Sequence, residues 1–271
     1  MSIPTPPFEE GRLNRAPVFP VSGTANPVVQ ARIQVPVRTG SVDAYVKLLK
    51  PKAFAAESIC AWLAIRVGLH VPTPFWVTAH RRLLQSVWPY GEKEAQVCFG
   101  SEAVPSAMAF RLDAQAADVL ARHGLHLTML GQIALFDELV GNDDRHDGNL
   151  LVTYDGSFFL IDHERAVGGT GLGLFSTDPP LGPNRLLDRL RKLSSSERMA
   201  LAKPLREFCA HCERAVLSAP YDVLIEDPEI RLLVQSYLAR RADKLRDTLE
   251  ATLGIRDLSG LRDSSRQSSV L

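Results

Sequence analysis

Apolar and polar residues alternate with a period of two in "VVQARIQVPV" (28–37) and "SVDAYVKLL" (41–49). Alternation of this kind marks a strand with one buried face. The "RTG" between the two runs is a turn signal, so together they predict a β-hairpin. The period then changes. "AFAAESICAWLAIRVGL" (53–69) repeats helically and is rich in helix formers, with Gly68 and Pro72 placed to stop it. "PFWVTA" (74–79), "LLQSVW" (83–88) and "EAQVCF" (94–99) predict three further short strands. Beyond residue 105, "AQAADVLARHG" (114–124) and "LTMLGQIALFDELVG" (127–141) predict helices. "LLVTYDGSFFLID" (150–162) predicts a hairpin turning at Asp155-Gly156. Two long helical patterns follow, "SSERMALAKPLREFCAHCERAVL" and "PEIRLLVQSYLARRADKLRDTLEATLG".

This pattern predicts an α+β chain in four parts. Residues 1–16 are Pro-rich and expected to be loosely held, and residues 17–104 are β-rich with one inserted helix. Residues 105–258 are mainly helical, and residues 259–271 form a polar tail without apolar period. Composition narrows the function classes. Lys+Arg and Asp+Glu both number 31, so no global basic field draws the chain to nucleic acid or an anionic membrane. Any site for a polyanion must be local. Four cysteines (Cys60, Cys98, Cys209, Cys212) in 271 residues do not make a disulfide framework, which fits a reducing compartment. No basic segment followed by an apolar run opens the chain, and no apolar run nears the roughly 18 residues of a membrane span. The expectation is a soluble, cytoplasmic protein with no membrane partner.

Candidate chemistry enters at "NDDRHDGN" (142–149). It crowds acids, a histidine and two asparagines between the apolar "IALFDELV" and "LLV". The segment joins the end of a buried helix to the start of the hairpin. The hairpin folds back, so Asp162 returns beside Asn149, and Asp144, Asn149 and Asp162 can converge. All three offer oxygen donors, which suit Mg²⁺. Asp144 precedes Asn149 by five residues, the D-x-x-x-x-N spacing of a phosphoryl-transfer loop, and that spacing selects Asp144 over Asp143. Such a site also needs a strand lysine for the nucleotide phosphates and a helix carboxylate to fix that lysine. Lys47 sits in the apolar strand "AYVKLL". Glu57 lies in an apolar stretch of the first helix, where an unpaired carboxylate is costly. A Lys47–Glu57 pair explains both charges. Upstream, "VSGTANP" (21–27) holds small residues that let backbone N–H groups approach phosphates.

With these residues in place, the chain resembles the HipA-like kinases, which share a two-lobed fold with protein kinases and phosphatidylinositol kinases. The resemblance spans roughly residues 20–165 and rests on "YVKLL", "AAESICAWLAIRVGLHVPTP", "DRHDGN" and "FLIDHE". It implies a protein-kinase-like fold: a small β-rich N-lobe with one key helix, and a larger helical C-lobe holding the catalytic loop. It further implies an ATP- and Mg²⁺-dependent phosphotransferase. Asp144 would orient and deprotonate the acceptor hydroxyl, and His146 would support transition-state charge. Asn149 and Asp162 would hold Mg²⁺, and Lys47, backed by Glu57, would contact the phosphates. Gly23, Thr24, Ala25 and Asn26 would form the phosphate loop, while Val97 and Phe99 would lie at the adenine hinge. Arg145 is expected to pair with a nearby acid. The metal motif reads Asp-His-Glu where protein kinases have Asp-Phe-Gly, and the phosphate loop lacks repeated glycines.

The acceptor expected from the family is a protein Ser/Thr hydroxyl, with an antitoxin-like protein as a partner by analogy with toxin–antitoxin kinases. A small-molecule or lipid kinase, and a nucleotide-binding pseudokinase-like regulatory or interaction protein, are the alternatives. A metal-dependent hydrolase would leave Lys47 and Glu57 without a role. Three other motifs carry less. "GGTGLG" (168–173) precedes helix breakers and does not open a dinucleotide-binding helix. "CAHC" (209–212) has no second cysteine pair and reads as core packing, and "ARRADKLRD" (239–247) reads as a solvated helix face.

Overall fold

The computed structural model describes residues 8–13, 19–21, 24, 26–109, 127–142, 145, 149–168 and 184–255. The first half is built on strands β1 (Glu9–Leu13), β2 (Phe19–Val21), β3 (Val28–Gln34), β4 (Ser41–Lys47), β5 (Pro74–His80) and β6 (Ala95–Glu102). They form one sheet in the order β1-β5-β6-β4-β3-β2, and β1 also pairs with β3. That extra pairing closes five of the strands into a barrel. β1 runs parallel to β5, and the other pairings are antiparallel.

The barrel interior is an apolar cluster that includes Leu13, Ile33, Ala44, Val46, Phe75, Val77 and Cys98. Gly100 serves this packing, because a Cβ there would stand 2.6 Å from Val77 Cγ2. Side chains along a strand alternate between faces. With Ala44 and Val46 turned inward, Lys47 falls on the outer face. There α1 (Pro51–Arg66) packs, and nearly all of its residues from Ala53 to Ala64 are buried. Pro51 opens this helix at a position where no donor is lost. A Schellman motif ends it: Gly68 has φ +82, its N–H bonds to Ile65 O, and Leu69 N–H bonds to Ala64 O.

The second half holds a small sheet of β7 (Met108–Ala109), β8 (Leu150–Val152) and β9 (Phe158–Leu160). Around it lie α2 (Leu127–Val140), α3 (Arg185–Arg191), α4 (Ser195–Ser218), α5 (Tyr221–Leu224) and α6 (Pro228–Leu253). A capping box of Ser194 and Glu197 opens α4, and Asp227 with Pro228 opens α6. One continuous apolar core joins α1, α2, the β8–β9 hairpin, α4 and α6. α2 is thus the hub on which the candidate loop begins.

Several expectations change. The sequence marked residues 1–16 as loose, yet Glu9–Leu13 is a barrel strand. One of its inward positions is Gly11, so the alternation that would reveal it is muted. "LLQSVW" is a 3₁₀ turn (Arg81–Leu83) followed by further turns, not a strand. Its apolar residues Leu83, Leu84, Val87 and Trp88 pack on the barrel cluster instead of pairing along an edge. The helix expected at 114–124, the glycine-rich stretch after Gly168 and the tail lie outside the described residues. Cys209 and Cys212 are buried core residues, and burial pushes the Cys209 thiol up to about 12. Among the described residues no helix is long and apolar enough to cross a membrane.

Candidate functional site

The end of β4, the middle of α1 and the chain leaving β9 meet at Lys47. Its ammonium bonds to Glu57 and, at 2.8 Å, to Asp162 Oδ1. Glu57 is almost fully buried, while the Asp162 side chain keeps 39% of its exposure. Burial works against the Lys47 charge, but the two carboxylates outweigh it and hold the pKa above the usual lysine range. Asp162 has φ +63, a left-handed conformation uncommon for a residue with a Cβ. Such backbone persists where its surroundings over-determine it.

The neighbours of Asp162 are each held by a different element. His163 is buried, and its Nε2 lies 3.1 Å from Arg145 Nη2. Arginine only donates, so Nε2 accepts, and the ring proton is assigned to Nδ1, which lies 4.0 Å from Glu57 Oε2. Burial, then the Arg145 and Lys47 charges, push the His163 pKa well below the usual imidazole range, so the ring is neutral. Glu164 Oε1 accepts 3.0 Å from Asn26 Nδ2, across 138 residues of sequence. Burial raises the Glu164 pKa, with Asp162 and Glu57 adding to the effect and Lys47 and Asn26 opposing it.

Arg145 organises the loop from inside. Its Nε and Nη2 donate to the two Asp137 oxygens at 2.9 and 2.7 Å. Its Nη1 donates to the carbonyls of Asn149 and, at 3.1 Å, Ile161. Asn142 Nδ2 adds a bond to Asp137 at 3.1 Å. Ile161 N–H bonds to Asn149 O at 3.3 Å, so the hairpin brings Asn149 beside the residue that precedes Asp162. Val167 N–H bonds to Val140 O at 2.7 Å and returns the chain to the end of α2.

The structure therefore gathers Lys47, Glu57, Asn149, Asp162 and Asn26. Asp144, His146, Gly23 and Ala25 lie outside the described residues. Thr24 Oγ1 donates to Val21 O at 3.3 Å. Phe99 pairs with Lys47 in the β4–β6 register and is buried against Phe8. Val97 is exposed and faces a cavity of about 680 Å³ that Trp76 and Ile225 also line. Both residues lie within β6, and the chain leaves the barrel only after Glu102. The sequence assigned no role to Asp137, or to His163 and Glu164 within the Asp-His-Glu motif. Asp137 had left a trace, as a single acid inside "IALF-ELV". His163 and Glu164 gain their meaning only from partners far along the chain.

Carboxylate oxygens of Glu57, Asp162 and Glu164 lie within 4.8 Å of one another. Oxygen donors of this kind suit a hard divalent cation. Lys47 already binds two of the three, Glu57 and Asp162, and Glu164 bonds to Asn26. The arrangement thus combines a fixed cation, a cluster of carboxylate oxygens and a left-handed backbone at Asp162.

The family model for HipA-like kinases matches residues 45–170, a span that contains all of these groups except Asn26. No curated protein matches the sequence. Among solved structures, the fold is similar to a crystal structure of the Helicobacter pylori proinflammatory kinase CtkA. The TM-score is 0.50 at 12% identity, covering 84% of this chain and 94% of that one. At that identity the likeness is one of fold.

Proposed function

Taking residues 45–170 as a HipA-like kinase region, we propose that this protein is an ATP- and Mg²⁺-dependent kinase. It transfers the γ-phosphate to a hydroxyl, with a protein Ser/Thr as acceptor. The barrel with α1 acts as the N-lobe and the helical half as the C-lobe. One observation carries the reading: a single lysine bonds to carboxylates 10 and 115 residues away, on a helix and on the segment after a hairpin. Phosphoryl transfer asks mainly for positioning and charge stabilisation, and this constellation supplies both. Glu57 fixes Lys47, and Lys47 holds the nucleotide phosphates. Asp144, five residues before Asn149, takes the acceptor proton, and His146 supports charge in the transition state. Asn149 and Asp162 would hold Mg²⁺, which would supply positive charge to neutralise the phosphates. Arg145 is committed to Asp137 and the loop carbonyls, so its role is to position.

The test is thermal unfolding with and without Mg²⁺-ATP, for the wild type and Asp162→Asn. A ligand selective for the folded state raises the midpoint. The expected result is a rise in the wild type whose metal-dependent part is missing in the variant. Absence of any shift at millimolar Mg²⁺-ATP in the wild type would overturn the proposal.

A further inference from the structure

The Lys47 ammonium stands where the acidic oxygens converge. It bonds to Glu57 and Asp162, and an oxygen of Glu164 lies within 4.8 Å of theirs. Three carboxylates this close repel one another unless a cation stands among them. The other candidates nearby do not serve. Arg145 is tied to Asp137, His163 is neutral, and Asn26 brings a hydrogen bond to Glu164 without a charge.

We propose that Lys47 is the resident cation of this cluster, and that it excludes free divalent metal until nucleotide phosphates engage it. A metal approaching Asp162 meets an ammonium 2.8 Å from the same carboxylate. At that range like charges repel strongly, more so in a partly desolvated site. Polyphosphate offers Lys47 another set of anions. The lysine then leaves Asp162 but keeps Glu57, which is buried. Asp162 is thereby freed for the metal. Nucleotide and metal enter together, and the acidic cluster does not collect cations while idle. The role of nucleotide rests on the kinase reading above, whereas the exclusion of free metal by Lys47 does not.

The probe is Mn²⁺ alone, followed by loss of the electron paramagnetic resonance signal of the free aqueous ion. The wild type is compared with Lys47→Met and with Lys47→Met/Glu57→Gln, each checked for folding by circular dichroism. The single variant leaves Glu57 buried without its partner; the double variant removes both charges and keeps Asp162 and Glu164. Each folded variant is expected to bind Mn²⁺ about tenfold tighter than the wild type, or more. Wild type binding Mn²⁺ as tightly as a folded variant would overturn the proposal. In a second arm, ATP is added with Mn²⁺ to the wild type. Binding there no stronger than ATP's own chelation of the ion would count against the kinase reading, while the nucleotide-free comparison still decides the role of Lys47.

Discussion

Arg145 shows how much one side chain can organise. Its donors reach an acid in α2, two backbone carbonyls on either side of the hairpin, and the ring of His163. A lysine could not replace it, because an ammonium lacks the planar fork that spans both Asp137 oxygens. Both members of the pair are buried, with side-chain exposures of 5% and 1%. Removing one partner of such a pair leaves the other charge stranded. Asp137→Ala is therefore expected to lose about 3–5 kcal/mol of stability, read from urea denaturation. Asp43→Ala breaks an exposed pair with Arg32 and is the control, with little effect expected. Equal effects from the two substitutions would refute the account of the loop as hung on Arg145.

Among elements, the α2–α4 crossing decides where the candidate loop begins. Gly131 in α2 faces Leu205 in α4, and a Cβ there would stand 2.7 Å from Leu205 Cδ1. The glycine is a cost to α2 by propensity and a gain in approach distance. Gly131→Ala should lose roughly 1–3 kcal/mol through overpacking, partly offset by about 0.8–1 kcal/mol of helix propensity. In a Leu205→Ala background the clash is gone, and the same substitution should become neutral or stabilising. Additive effects in this double-mutant cycle would mean that the contact does not set the helix spacing.

At the scale of the molecule, the barrel fixes the register of β4 and hence the side on which Lys47 emerges. Closure depends on β1, which pairs with β5 on one side and β3 on the other. At the rim, Arg38 bonds to Glu9 in β1 and Glu102 in β6. Leu13 is fully buried within the barrel. Leu13→Ala is expected to cost about 2–5 kcal/mol, seen as a lower thermal midpoint. A loss below about 1 kcal/mol would show β1 to be a peripheral strand and not the closing one.

The sequence by itself determined the β3–β4 hairpin, α1, α2 and the two long C-terminal helices, and it placed Lys47 and Glu57 on them. Alternation of period two fixes which face of β4 carries Lys47, and the apolar surroundings of Glu57 require a cationic partner. The tight Asp155-Gly156 turn makes the return of Asp162 toward Asn149 a local event. Tertiary structure decided what depends on distant pairing. That Glu9–Leu13 closes a barrel follows from partners twenty or more residues away and from an inward glycine that leaves no hydrophobic mark. That Lys47 bonds to Asp162 as well as Glu57, that Asn26 reaches Glu164, and that Arg145 selects Asp137 all join residues whose spacing carries no period. Local patterns record which face of an element is buried; they do not record which buried charge will meet which. That choice is made by the packing that brings the elements together.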